Sequence, residues 1–148
     1  MIQGTANIIN LTNARDSWAQ YLNTFPWDWF ATLTFSKRIS TRIAFKMFNK
    51  WKIMLKKAVG NKIFYFMVIE KPRFKGDNVH FHIFMNGVKA ENPDVWKQRW
   101  LEIAGVSDIK PYDNTQGATY YISDKIVFNE EDTRWSNDIK EIAPVTTT

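Results

Sequence analysis

No cysteine occurs among the 148 residues. That excludes a disulfide framework, a thiolate metal site and a cysteine nucleophile. Long apolar runs are missing as well: the longest, Ile63 to Ile69, falls far short of a membrane span of about 20 residues. The opening residues, MIQGTANIINLTNARDSW, hold neither a basic nor an apolar segment, so no secretion signal is expected. No Gly-x-x-x-x-Gly-Lys-Ser/Thr stretch is present, so no phosphate-binding loop or helicase domain of that kind is expected. The expectation is a cytoplasmic chain with no membrane partner, monomeric in isolation.

What is present is enough for one folded domain. Hydrophobic residues make up 45% and charged residues 24%, the balance of a globular chain. Aromatics reach 16% with seven Trp; most must be core, and exposed ones would suit stacking on single-stranded bases. The net charge of +5 is uneven. Lys37 to Lys75 carries twelve Lys/Arg and one acid, Glu70, while the remainder is acidic. Such a stretch reads either as a phosphate-binding surface or as a solvated helix face.

Residues 12–23 read as a short helix with Asn13 as cap. Trp27 to Phe35 (WDWFATLTF) is aromatic and β-branched and predicts a strand. Ser40 caps a predicted helix to Val59, stopped by Gly60, with an apolar stripe of Ile43, Ala44, Met47, Phe48, Trp51, Met54, Leu55 and Ala58. Strands follow at Lys62–Glu70 and Val79–Met85, then a helix from Asn92-Pro93 to about Ala104, ended by Gly105. A short strand, Ser107–Tyr112, and a helix from Thr115 to about Phe128 come last. The polar end from Asn129 is ambiguous, and VTTT is expected to fray. The order β-α-β-β-α-β-α predicts an α+β fold of the ferredoxin-like, split β-α-β kind. It has a central antiparallel sheet of four to five strands with helices packed on it. The expected division is one domain over 1–148: an N-terminal helix within 1–26, a core of about 27–128, and a C-terminal extension, 129–148.

Both histidines of the chain lie in one tripeptide, His80-Phe81-His82. On a strand, residues i and i+2 share a face, so the two imidazoles project side by side. They suit chelation of a divalent ion, or else stand partly exposed on an open sheet face. Glu70 ends the preceding strand, across the predicted hairpin from His80. With the imidazoles it makes a mixed N/O set suited to Mg²⁺ or Mn²⁺ acting on a phosphate; alone it reads as a carboxylate paired with a lysine. On the last helix Tyr121 and Lys125 are i, i+4 neighbours, with Asp124 at i+3. A phenolate can attack a phosphodiester and become covalently attached, and a nearby lysine favours that charge. The plain alternative is that Tyr120 and Tyr121 pack and Lys125 is solvated.

Taken in order, WFATLTF (29–35), Glu70, HFHIFMNG (80–87) and GATYYISDKI (117–126) resemble the HUH endonuclease superfamily, named for histidine, hydrophobic residue, histidine. Within it the chain is most similar to the rolling-circle replication initiators (Rep proteins) of plasmids, bacteriophages and small viruses. The resemblance covers roughly residues 27–128. It implies that Thr32-Leu33-Thr34-Phe35 supports the core near the DNA. It implies that His80, His82 and Glu70 hold Mn²⁺ or Mg²⁺. It also implies that a tyrosine nicks and rejoins single-stranded origin DNA, in a hairpin in some cases, through a 5′-phosphotyrosine. The usual Rep pattern is Tyr-x-x-Lys. Here Asp124 takes the lysine position and Lys125 follows, so helix geometry favours Tyr121 as nucleophile with Lys125 as helper, and Tyr120 is the alternative. Asp124 either approaches the metal or orients another group. Lys37, Arg38, Lys71, Arg73 and Lys75 flank the predicted active strands as candidate phosphate contacts. With no helicase segment, the chain reads as a minimal initiator using a host helicase or as the nuclease part of a longer protein. A single-tyrosine transposase of the same superfamily and a noncatalytic single-stranded DNA-binding module are the rival readings.

Overall fold

Side-chain alternation in three central strands decides the layering. In β1 (Trp29–Leu33), β2 (Phe64–Glu70) and β3 (His80–Asn86), neighbouring residues point to opposite faces. In the computed structural model, which describes residues 2–144 and no side chain of 2–6, both faces are apolar and both are covered. Trp29, Ala31, Leu33, Met67, Phe81 and Ile83 meet helices α2 (Thr41–Val59) and α3 (Pro93–Ile103). Phe66, Val68 and Phe84 meet helices α1 (Ile2–Asn23) and α4 (Ala118–Val127).

The five-stranded sheet runs β4-β1-β3-β2-β5, antiparallel throughout, with β4 at Ser107–Pro111 and β5 at Asp132–Trp135. The first four strands have the order expected of a split β-α-β unit. The fold is α+β, with four helices on the sheet.

Local chemistry explains the elements. Ser40 Oγ accepts the Ile43 N–H at 3.2 Å, and Gly60 closes α2 in the left-handed region at φ 73°. The α2 stripe buries Ala44, Phe48, Trp51 and Leu55. Two fully buried tryptophans keep their N–H groups satisfied: Trp51 donates to Trp96 O at 3.0 Å and Trp100 to Thr34 O at 2.8 Å. Each such side chain contributes roughly 1.5–3 kcal/mol by leaving water.

Several boundaries differ from expectation. The N-terminal helix starts at Ile2, so Asn13 lies inside it instead of capping it. Its early turns leave Ile8, Ile9 and Leu11 exposed, so they carry no apolar period to read. The last helix starts at Ala118. Asp113 Oδ1 accepts the Thr115 N–H at 2.9 Å and its hydroxyl at 2.7 Å, a turn that holds 115–116 out of the helix. Gly105 matters for more than ending α3, because a Cβ there would meet Ser36 N at 2.7 Å and Thr34 O at 2.8 Å. Strand β5 comes from the ambiguous tail. Its residues Asp132, Thr133 and Arg134 are exposed as on a charged sheet edge, and only Trp135 packs, 4.2 Å from Phe66 between ring centroids. No helix among the described residues is long and apolar enough to cross a membrane. The frayed VTTT end lies outside the described residues.

Candidate active site

The even-numbered side chains of the strands bring three polar groups onto the face under α4. In register, Glu70 lies opposite His80, and His82 lies between Val68 and Thr32. Glu70 reaches along the strand to His82, Oε2 to Nε2 at 2.6 Å. Lys125 comes down from α4 and places Nζ 2.9 Å from the same oxygen. Thr32 Oγ1 is 3.3 Å from His82 Nδ1. Both the carboxylate and the imidazole therefore have partners, as burial demands.

The sheet face is covered instead of open, and this separates the two histidines. His82 is 4% exposed and His80 is half-buried at the sheet end. Burial holds the His82 imidazole below its ordinary value against the pull of Glu70, with Lys125 and His80 also opposing a charge there. His82 is thus neutral at pH 7. Its Nε2–H donates to Glu70, and Nδ1 accepts from the Thr32 hydroxyl. Burial pushes the Glu70 carboxyl up, but the hydrogen bonds from His82 and Lys125 outweigh it and hold the carboxyl below its ordinary value. For Lys125, burial pulls down and Glu70 pulls up further, so it stays a cation.

These directions set a stability profile. As pH falls below 6.5, the ordinary histidine value, the unfolded chain binds a proton that folded His82 refuses. Near 4.5 the unfolded Glu70 does the same, and its contribution is lost as pH falls through the folded value. Lys125 contributes fully below 10.5 and its share is lost only as pH rises through its raised value. In EDTA, the urea midpoint is expected to drop steadily from about pH 7 to pH 4. A midpoint that stays flat or rises over that range would contradict these assignments.

The tyrosines are exposed, Tyr120 at 44% and Tyr121 at 51%. Only Tyr121 joins the cluster: its ring sits edge-on to His82 with centroids 5.9 Å apart, and Lys125 Nζ is 4.8 Å from its centroid. Asp124 turns the other way and pairs with Arg15 of α1 at 3.3 Å. Sequence reasoning does not find Arg15 as a site neighbour, since 109 residues separate the pair.

The basic stretch is divided by the fold. Arg42, Lys46, Lys50, Lys52, Lys56 and Lys57 ride on α2, on the sheet face opposite the cluster. Lys71 pairs with Asp132 at 2.6 Å, and Arg73 with buried Glu131 at 3.0 Å. Lys37, Arg38 and Lys75 are exposed. Asn78 ties the Lys37 segment to the approach to His80, donating to Lys37 O at 2.7 Å and Phe35 O at 3.2 Å. Among the described residues no three His, Asp or Glu side chains converge as a ready-made metal cluster.

No curated protein and no solved structure gives a significant match. The family model for the replication-associated protein ORF2 matches residues 28–127, a span that includes Thr32, Glu70, both histidines, Tyr121 and Lys125, and the chain belongs to that family.

Proposed function

We propose that this protein is an HUH-type Rep nuclease that nicks and rejoins single-stranded origin DNA to start rolling-circle replication. The observation that carries the reading is the convergence of Tyr121, Lys125, Glu70 and His82. These residues come from one helix and two strands in a replication-associated family.

The donor set fits a divalent ion. His80 and His82 share a face, and Glu70 is opposite His80 in register. The 2.6 Å between Glu70 Oε2 and His82 Nε2 is close to the roughly 3 Å edge between neighbouring ligands around Mg²⁺ or Mn²⁺. Thr32 serves either imidazole tautomer, because its hydroxyl both donates and accepts. His80, His82 and Glu70 would hold the ion, which supplies Lewis-acid polarisation of a phosphoryl oxygen.

The remaining chemistry belongs to side chains. Tyr121 Oη attacks the phosphorus, and the bond from phosphorus to the 3′ oxygen breaks. The phenol loses its proton to solvent and the departing 3′ oxygen takes one up. One phosphodiester-type bond replaces another, so the step reverses without ATP. Lys125, held protonated by Glu70, offsets the negative charge that builds beside Tyr121 and cannot act as the base. Lys37, Arg38 and Lys75 are the exposed cations of the proposed set nearest this sheet end, and DNA binding through them weakens with salt. A cytoplasmic monomer working with a host helicase completes the proposal.

Covalent capture tests it. The protein is incubated with Mn²⁺ and a randomised single-stranded DNA library, and adducts are isolated under denaturing conditions. The expected adduct is lost in EDTA and in the His80→Ala and His82→Ala variants. Mn²⁺ at a hundredfold excess over its dissociation constant should add about 2.7 kcal/mol of stability to the wild type and none to the double histidine variant. DNA binding without any adduct would instead favour the noncatalytic module, and an adduct selective for transposon ends would favour the transposase.

A further inference from the structure

A pocket of about 310 Å³ opens beside Tyr121, between the β1–β4 edge and the start of α4. Phe30, Tyr112 and Tyr121 line it, with Lys110, Asp113 and Gln116 supplying its polar groups. We propose that this pocket takes a single nucleobase flanking the scissile phosphate and reads it by stacking and by the Asp113 carboxylate. The inference rests on Tyr121 as nucleophile.

Its size is at the lower end of small-ligand pockets, about 300–1,000 Å³, which suits one nucleoside better than two. Phe30 stands two residues from Thr32 on β1, roughly 7 Å along the strand from the His82 contact. That is about the reach of one nucleotide.

The aromatic walls are preformed. Phe30 stacks on Phe84 at 4.9 Å and 27°, and Tyr112 meets Phe84 edge-on at 5.7 Å. The Tyr112 hydroxyl donates to Asn23 Oδ1 at 2.6 Å, and Thr119 of α4 donates to the same oxygen at 3.1 Å. One asparagine at the end of α1 therefore fixes two sides of the pocket. A base entering it meets rigid π-faces and costs little ordering of the protein.

The polar groups favour a base over a phosphate. Asp113 Oδ1 is used by Thr115, whereas Oδ2 has only a long 3.4 Å contact from Gln116. Hydrogen bonds from Thr115 hold this carboxyl below its ordinary value, so it is an acceptor at pH 7. It repels a phosphate and accepts from an exocyclic amino group, so adenine, cytosine or guanine is preferred to thymine. Lys110 pairs with Asp108 at 3.2 Å on the outer edge.

The test uses the Tyr121→Phe protein, which keeps the ring, and a single-stranded oligonucleotide selected for binding to it. Each nucleotide in turn is replaced by an abasic residue, and the dissociation constant is measured. One position is expected to lose about 5- to 150-fold, the range for one stacked base. That loss should shrink towards onefold in the Phe30→Leu background, and Asp113→Asn should narrow the preference against thymine. The change on the DNA side keeps the test valid if Phe30→Leu disturbs the protein. Equal small losses at every position, or a large loss indifferent to both variants, would overturn the pocket. Wild-type adduct formation is scored separately, so a base-selective protein that forms no adduct sinks the nuclease reading alone.

Discussion

Replacing Tyr121 with Phe is expected to abolish the covalent protein–DNA adduct, by at least about a thousandfold, while Tyr120→Phe retains most of it. The two rings are adjacent in sequence but about 100° apart around α4. Only Tyr121 approaches His82 and Lys125, at 5.9 and 4.8 Å. Both side chains are about half exposed, so neither change should alter stability by more than about 0.5 kcal/mol. Any loss is then chemical and not a failure to fold. Denaturing gels score the adduct, and mass spectrometry of the wild-type adduct names the residue. Persistence in Tyr121→Phe with loss in Tyr120→Phe would exchange the two roles. Persistence in both single variants and in the double variant would end the tyrosine mechanism.

The second large effect concerns stability. Glu70→Gln should cost about 2 kcal/mol, a fall in melting temperature of roughly 5–10 °C. Lys125 has an 11% exposed side chain, and Glu70 Oε2 lies 2.9 Å from its Nζ. Removing the carboxylate charge leaves a buried ammonium without a counterion. Loss of one partner of a fully buried pair costs about 3–5 kcal/mol, and the 28% exposure of Glu70 lowers the expectation here. Lys125→Met in the Glu70→Gln background should restore much of the loss, because no cation then remains to be solvated. Urea unfolding of the wild type, both single variants and the double variant gives the coupling. Strict additivity would mean that the pair is not coupled and that Glu70 serves only His82.

These two effects fall on residues that differ in how readable they are. The spacing of His80 and His82 and the i, i+4 step from Tyr121 to Lys125 are local periodicities, visible wherever the element type is right. The hairpin reading puts Glu70 opposite His80, and the register agrees. Its bond to His82 runs diagonally, a choice made by side-chain reach and by the burial of His82. Asp124 shows the limit. Its position in the chain suggests a role near the metal, yet Arg15 on a distant helix holds it. Lys71 and Arg73 read as free cations, but Asp132 and Glu131, from the tail that is ambiguous in sequence, pair with them.

Side-chain periods of 2 and 3.6, with caps such as Ser40 and Gly60, were sufficient for the α+β class, the strand and helix order, and which residue types share a face. Packing of the whole chain settled the rest. It chose which sheet face lies under α4, set the α2 lysines behind the sheet, and enclosed one pocket with Phe30, Tyr112 and Tyr121. Periodicity sets the direction of a side chain relative to its own element. Which partner it meets depends on how whole elements bury their apolar faces together, and that is a property of the assembled chain.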